Sequence, residues 1–289
     1  MQTVPVSRQV FGIGCVTGAT VAWSTFGFFT LSVSADTPTV LVWRGIFGAL
    51  SLLLVLVLRE GLLGLSGFGR LGRMGWAFGT CGGLAGLTTI MALRETSVTH
   101  VAVIFATAPF FAAAIGWLFL HERPGRSAVI ASGVAVVGAV TMVGLGREGT
   151  LYGDALAVVS VIAYSGLIVI SKSNPGIPSL PASVLSVSFT TLAAVPFLTG
   201  FSIPYADLPM LAAFGVVNSA LAIWLFMIGA RHLPAIQTAL IGALETPLAP
   251  FWVWLAFGVA PGLLTMVGGA IVVGAVVWHI FQDTKPAGR

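Results

Sequence analysis

Charge is what this sequence has least of. Only 8% of its 289 residues are Asp, Glu, Lys or Arg, and 57% are hydrophobic, whereas a soluble domain is about one-quarter charged. With a mean hydropathy of +1.03, the chain cannot cover itself with a hydrated surface. The composition excludes an ordinary soluble protein and predicts an integral membrane protein.

Catalytic and metal-binding patterns are also missing. The sequence contains no HExxH, GxSxG or GxxxxGK[ST] pattern and no Cys/His cluster with metal spacing. Cys15 and Cys81 lie inside apolar runs, where packing is the expected role. We expect no metal and no cofactor, and a driving force that comes from gradients. An intramembrane lipid-processing enzyme stays open as an alternative, with His100 as the histidine deep enough to act in it.

Ten apolar stretches are long enough to cross a bilayer, because about 20 helical residues span its hydrocarbon core. They cover residues 10–32, 38–58, 74–93, 97–120, 127–145, 152–172, 182–200, 208–229, 234–257 and 262–281. The connections are short, the longest being 59–73, so no room remains for a soluble domain. The sequence predicts an all-α integral membrane protein with ten transmembrane helices.

The distribution of Lys and Arg predicts the orientation. With the N-terminus inside, ten of these residues fall in interior segments and two, Arg94 and Arg147, in exterior ones. They are dispersed among short connections, which does not favour a nucleic-acid partner. We expect both termini on the cytoplasmic side of a bacterial inner membrane.

Internal similarity divides the chain into two halves of five spans. GVAVVGAV at 133–140 and GAIVVGAV at 269–276 agree at six of eight positions, AWS at 22–24 resembles AYS at 163–165, and Pro109 aligns with Pro247. Because five is odd, the second half enters the membrane inverted, as in many secondary transporters with a site near the midplane. We expect two inverted five-helix repeats, 1–147 and 148–289, that work by alternating access.

These features resemble a known family. The five-plus-five pattern, the AW of the first span and the block ALRETSVTHVAVIFATAPFFAAAIGWLFLHERP, followed by a Gly-rich fifth span, resemble the EamA-type branch of the drug/metabolite transporter superfamily. Within it, the chain is most similar to the bacterial exporters of aromatic amino acids. The resemblance implies a secondary-active exporter of amino acids with broad specificity. An exporter of cationic drugs, such as quaternary ammonium compounds, is the nearest alternative.

One position departs from the family pattern. An acid closes the fourth helix of the family, and Glu122 in LFLHERP matches it, but the second half reads LAFGVAP and has no acid there. The role of this acid is therefore filled only in the first half of the chain, by Glu122.

Two ionisable residues lie in the middle of spans, where such groups are functional candidates. Arg44 in the second span and Glu245 in the ninth differ in depth by about 4–5 Å at a rise of 1.5 Å per residue. Two interpretations stay open. The residues form a buried ion pair that holds the halves together, or Arg44 receives a substrate carboxylate while Glu245 receives an ammonium group or a proton.

The repeat alignment adds further candidates. An offset of 138 residues aligns His100 with Thr238 and Thr107 with Glu245, and each pair is spaced i, i+7 on one helix face. We expect these residues around a central cavity, although His100 alone fits the aqueous rim and threonines can bond their own helix backbone.

Aromatic residues, an amide and two prolines complete the candidate set. Aromatic rings can stack on a substrate or bind a cation, and prolines interrupt helices at transporter sites. The substrate-binding candidates are Trp23, Trp43, Tyr164, Trp224 and Asn218, and the hinge candidates are Pro109 and Pro247. The glycines at 79–86 predict close helix packing within one molecule. The expected partners are a small-molecule substrate and membrane lipids, and we expect a monomer.

Overall fold

A computed structural model of the chain describes residues 6–144, 150–198 and 200–284. Fourteen α-helices make up most of it. In chain order they are α1 (Val6–Ser24), α2 (Phe26–Leu31), α3 (Thr37–Glu60), α4 (Gly72–Glu95), α5 (Val98–Ala106), α6 (Ala108–Leu120), α7 (Arg126–Val143), α8 (Leu151–Ser173), α9 (Ser179–Ala194), α10 (Leu208–Phe214), α11 (Ala222–Ala230), α12 (Ala235–Gly242), α13 (Glu245–Phe257) and α14 (Leu263–Thr284).

These helices form ten spans. Nine stretches within the described residues are long and apolar enough to cross a membrane, and α5 with α6, bent by 41°, forms the tenth. Spans one, four and nine are the pairs α1–α2, α5–α6 and α12–α13, and span eight runs from α10 to α11. The predicted fold class, an all-α integral membrane protein with ten spans, is confirmed.

Four of the described spans are interrupted, three of them near the middle and span one in its last third. Span one breaks at Thr25, span four at Thr107 and span nine at 243–244, while span eight loosens into a π-helix at Gly215–Leu221. Pro109 and Pro247 each lie in the first turn of the helix that follows a break, where proline removes no internal hydrogen bond. The predicted interruption at matching positions is confirmed, and the hinge role stays a prediction.

Helix packing follows the repeat. Spans two and seven (α3 and α9) pack together, and so do spans five and ten (α7 and α14). Span three packs against span six (α4 and α8), and span eight packs against span one in the same way (α11 and α1). These pairings are unchanged when each span is exchanged for the one five places away. The expected junction at 147/148 lies outside the described residues.

Glycines allow α4 to pack closely against α9. The α4 residues Gly79, Gly82, Gly83 and Gly86 face Leu185, Ser186, Phe189 and Thr190 of α9. A Cβ on Gly83 would lie 2.8 Å from Cβ of Phe189, and the Thr190 hydroxyl donates a hydrogen bond to the Gly82 carbonyl at 3.1 Å. The predicted packing role of this glycine stretch is confirmed.

The two ends of the bundle differ. We name them the Glu122 end, where α6 and α8 finish, and the Asp154 end, where α5 and α8 begin. At the Glu122 end, α6 packs against α12. At the Asp154 end, α5 packs on α7 and α8, whereas α13 packs on α1, α2 and α14, and α5 has no substantial contact with α13. Spans four and nine are thus in contact at the Glu122 end, through α6 and α12. They are separated at the Asp154 end, where α5 and α13 lie.

Candidate functional site

Arg44 lies on α3 between aromatic rings. Its guanidinium carbon is 5.4 Å from the ring centre of Phe26 and 5.2 Å from that of Phe214, and its Nη1 donates to Oδ1 of Asn218 at 2.7 Å. Aromatic faces stabilise a cation where water is scarce. Nε is buried without a hydrogen-bond partner among the described residues, so the guanidinium keeps donor capacity that the protein does not use.

Asn218 connects Arg44 to the break in span one. The side chain is only 2% exposed, and its amide nitrogen donates to the carbonyls of Ala22 and Trp23, both at 3.0 Å. These carbonyls precede the break at Thr25, where regular helix bonding is interrupted. Asn218 itself lies in the π-helix, a feature that is frequent at functional sites.

Glu245 is the first residue of α13. Arg44 of α3 and Tyr164 of α8 lie within electrostatic range of its carboxylate, although neither helix packs closely against α13. The residue is exposed, and within the described part of the chain its carboxylate has no hydrogen bond and no ion pair within 4 Å. Within the described residues Arg44 and Glu245 form no ion pair within 4 Å, and Nη1 of Arg44 donates to Asn218 instead. Both interpretations of these two residues stay predictions.

Three aromatic rings from spans one, six and eight pack against one another. The Trp23 ring centre is 6.3 Å from that of Tyr164 and 5.1 Å from that of Phe226, and Tyr164 stacks on Phe226 at 5.6 Å. A Cβ on Gly242, one turn before Glu245, would lie 2.8 Å from the Tyr164 hydroxyl. We call the region bounded by Arg44, Trp23, Tyr164 and Glu245 the central cleft.

The central cleft is also tied to α13. The indole nitrogen of Trp252 on α13 donates to the hydroxyl of Ser24 at 2.8 Å. Ser24 ends α1 at the break of span one. The second half of span nine and the broken part of span one are therefore joined directly.

The repeat-derived candidates lie in different places. His100 is at the Asp154 end, with Nδ1 2.9 Å from a carboxylate oxygen of Asp154, which also accepts from Thr96 at 2.7 Å. Thr107 stands at the break of span four and donates to the Ile104 carbonyl at 2.6 Å. Thr238 is fully buried and donates to the Pro234 carbonyl at 3.2 Å. Both threonines thus bond the backbone of their own span.

The two other tryptophans lie towards opposite ends. The Trp43 indole donates to the Phe201 carbonyl at 3.2 Å, which fastens the connection before α10. Trp224 lies in α11, with the Arg59 guanidinium 5.4 Å from its ring centre. The structure therefore brings Arg44, Asn218, Trp23, Tyr164 and Glu245 together at the central cleft, and places Trp43 and Trp224 outside it.

Glu122 joins three helices at its end of the bundle. Its carboxylate forms an ion pair with Lys172 near the end of α8 and accepts from the backbone nitrogen of Ala235, the first residue of α12, at 3.3 Å. A carboxylate is favoured at a helix N-terminus, where backbone N–H groups lack partners. Glu122 thus links the first repeat to two helices of the second. The corresponding stretch after α13 has no acid.

Sequence reasoning did not identify Phe26, Phe214 and Phe226. They belong to a set of 19 phenylalanines, most of them in apolar runs, and no spacing distinguishes a ring beside Arg44 from one in the core. The repeat gives no help at Phe226, which the offset of 138 aligns with Thr88. The described residues also contain no group of three or more His, Cys, Asp or Glu that could hold a metal ion.

Comparison with known proteins is consistent with this architecture. Residues 10–144 match the EamA-like transporter family. Two relatives named riboflavin transporter, from Rhizobium johnstonii and Brucella anthropi, are each 24% identical over 205 and 204 residues, which is 68% of this chain and 68% and 72% of the relatives. A crystal structure that is 19% identical aligns with a TM-score of 0.78 over 96% of this chain and 98% of its own, which shows the shared fold.

The described spans, the family match and the two named relatives agree on one class of protein. Residues 10–144 are similar to the EamA-like transporter family, and the described spans make the chain a multi-pass membrane protein that is similar to known transporters.

Proposed function

We propose that the protein is a secondary-active exporter of amino acids, including aromatic ones, in a bacterial inner membrane. The observation that carries this proposal is the pair of opposite charges at the central cleft, Arg44 and Glu245, which are not neutralised by each other. A zwitterion brings one charge for each of them. The broad specificity comes from the aromatic walls, since stacking does not require one particular ring.

The proposed binding mode follows from the free hydrogen-bonding capacity of Glu245, which accepts, and of Arg44, which donates. The ammonium group of the solute meets the Glu245 carboxylate, and its carboxylate meets the unused donors of Arg44. The side chain of the solute lies against Trp23 and Tyr164. Exchange between the two sides proceeds by alternating access between the halves, with both termini and the Glu122 end placed at the cytoplasm by the Lys and Arg distribution.

Riboflavin is a second candidate substrate. The two named relatives support it, and a flat ring system could stack on the same aromatic side chains. Riboflavin has no ammonium group for Glu245. Amino acid binding therefore requires the negative charge of Glu245, whereas riboflavin binding does not.

Counterflow into liposomes that contain the purified protein tests the proposal. We expect exchange of labelled phenylalanine, and we expect Glu245→Gln and Arg44→Gln each to lower it by about 10- to 100-fold, because each removes a hydrogen bond to a charged group. The matched controls Glu95→Gln and Arg94→Gln carry the same substitutions at exposed positions and should retain full exchange.

The pattern of losses identifies the substrate class. Riboflavin is favoured as the substrate if the unmodified protein exchanges riboflavin but no amino acid, and if the Glu245→Gln variant still exchanges riboflavin. Exchange of a quaternary ammonium compound that fails in Glu245→Gln and persists in Arg44→Gln would favour a cation exporter. Recovery of a chemically altered solute would indicate an enzyme.

A further inference from the structure

Buried polar groups without partners gather in one part of the second repeat. Among the described residues, six of this repeat have a buried side-chain nitrogen or oxygen that makes no hydrogen bond: Ser165, Ser171, Ser183, Trp224, Arg231 and Gln237. All six lie from the level of Tyr164 towards the Glu122 end. A protein interior rarely leaves such groups unpaired, because an unmade hydrogen bond in a buried site is costly.

Five of the six residues belong to helices that pack on one another, and Arg231 directly follows α11. α8 packs against α11 and α12, and α11 also packs against α9. α8 and α11 finish at the Glu122 end, while α9 and α12 begin there. The unpaired groups therefore line the inside of one bundle rather than separate surfaces.

Gln237 is the clearest member of this group. It is 1% exposed, and neither its amide oxygen nor its amide nitrogen has a hydrogen-bond partner. Its neighbour Thr238, equally buried, bonds the carbonyl four residues earlier, as do Thr20 and Ser132 elsewhere. Ser165 and Ser171 are fully buried and do not make this local bond. The bundle thus holds polar groups that the closed packing leaves unused.

We propose that Gln237, Ser171 and Ser165 line an inner vestibule, the half of the solute path that leads from the central cleft to the Glu122 end and is closed in this structure. The proposal rests on the proposed transport function. When the vestibule opens, the Gln237 amide donates to and accepts from the polar groups of an entering solute, a carboxylate or carbonyl on one side and an ammonium or hydroxyl on the other.

Glu122 controls this opening. α12 begins at Ala235, whose backbone nitrogen bonds Glu122, and Gln237 follows two residues later. The ion pair of Glu122 with Lys172 holds α8, which carries Ser165 and Ser171, at the same place. Separation of Glu122 from these partners releases both walls of the vestibule together.

Cysteine accessibility tests the vestibule. The Ser171→Cys substitution is made in a protein that also carries Cys15→Ala and Cys81→Ala. Inverted and right-side-out membrane vesicles that contain it are then treated with a membrane-impermeant maleimide. We expect slow labelling in inverted vesicles that rises about threefold or more when Glu122→Gln is added, as expected for the loss of a partly exposed ion pair. Ser132→Cys, buried on α7 with its hydroxyl satisfied, is the control and should stay unlabelled.

Two results would overturn the inference. One is Ser171→Cys that stays unlabelled in both vesicle types, with and without Glu122→Gln, while counterflow persists. The other is labelling only in right-side-out vesicles, which would place the vestibule on the opposite face.

Gln237→Leu provides a second, independent measurement. An apolar side chain of similar size suits the closed packing better than an unpaired amide. We expect this variant to express normally and to slow counterflow. Added to the protein that carries Ser171→Cys and Glu122→Gln, it should lower the labelling of the cysteine. The control Thr20→Val removes a buried hydroxyl that already has a partner and should change neither. Unchanged labelling and unchanged counterflow in Gln237→Leu would contradict the role of the amide.

These measurements separate the inference from the proposed function. The labelling does not depend on which solute is carried, so absence of amino acid exchange with the expected labelling pattern rejects only the substrate assignment. Amino acid exchange with an unlabelled Ser171→Cys rejects only the vestibule.

Discussion

Arg44 is held by side chains from two other spans. Phe26 of span one and Phe214 of span eight flank its guanidinium, and Asn218 accepts from Nη1. The residue was identifiable from sequence because a charge in the middle of an apolar run is rare and costly. Its surroundings were not, because nothing in a run such as FGFF distinguishes a phenylalanine beside a cation from one beside a leucine.

Asn218 should be the residue on which the geometry of the cleft depends. Asn218→Ala removes the acceptor of Arg44 and leaves the carbonyls of Ala22 and Trp23 without their donor, so we expect a loss of about 1–3 kcal/mol in stability. The melting temperature of the purified protein in detergent should fall by several degrees, and counterflow should weaken. Asn174→Ala, which removes only local bonds at the end of α8, should leave both nearly unchanged. Equal melting temperatures for the two variants would contradict this assignment.

At the scale of the helix, composition and the repeat were informative. All ten predicted spans occur, and the alignment of Pro109 with Pro247 marks two real interruptions. The break at Thr25 and the π-helix at Gly215–Leu221 were not predicted. Both depend on contacts between distant spans, such as that of Asn218 with Trp23, and periodicity within one span does not report them.

The glycine contact between α4 and α9 leads to a prediction with a matched control. Gly83→Ala would place a Cβ 2.8 Å from that of Phe189, so the helices must separate and we expect a cost of about 1–3 kcal/mol. Gly14→Ala has no atom within 4 Å of the added carbon and should be neutral or stabilising by about 0.5–1 kcal/mol, because alanine is the better helix former. Thermal unfolding followed by circular dichroism measures both. A Gly83→Ala variant as stable as Gly14→Ala would exclude the close packing.

At the scale of the whole molecule, the two five-span repeats stay a prediction that the pairing of the spans supports, and the sequence could not show which end is closed. The two repeats are similar in pattern, yet Glu122 contacts Lys172 and Ala235 at one end, while α5 and α13 are separated at the other. Such a difference follows from a few side chains at the ends of spans. It is invisible to an alignment of apolar stretches.

Orientation is the remaining property of the whole molecule to be measured. We expect a fluorescent protein fused after residue 289 to be bright and alkaline phosphatase at the same point to be inactive, because both termini are predicted to be cytoplasmic. Phosphatase fused after Glu95, between α4 and α5, should be active, and phosphatase fused after Glu60 should not. Active phosphatase at residue 289 would reverse the orientation and, with it, the direction of the proposed path.

Glu122 has a kinetic consequence as well. In the proposed mechanism, its contacts with Lys172 and Ala235 are broken when the transporter opens at one face, and no acid occupies the corresponding position for the other face. We therefore expect the empty protein to spend unequal time in its two forms. A carrier of this kind cannot concentrate a solute without a gradient, but its half-saturation concentration differs between the two faces. Solute at the Asp154 face then saturates the carrier at the lower concentration, even though the final distribution is the same.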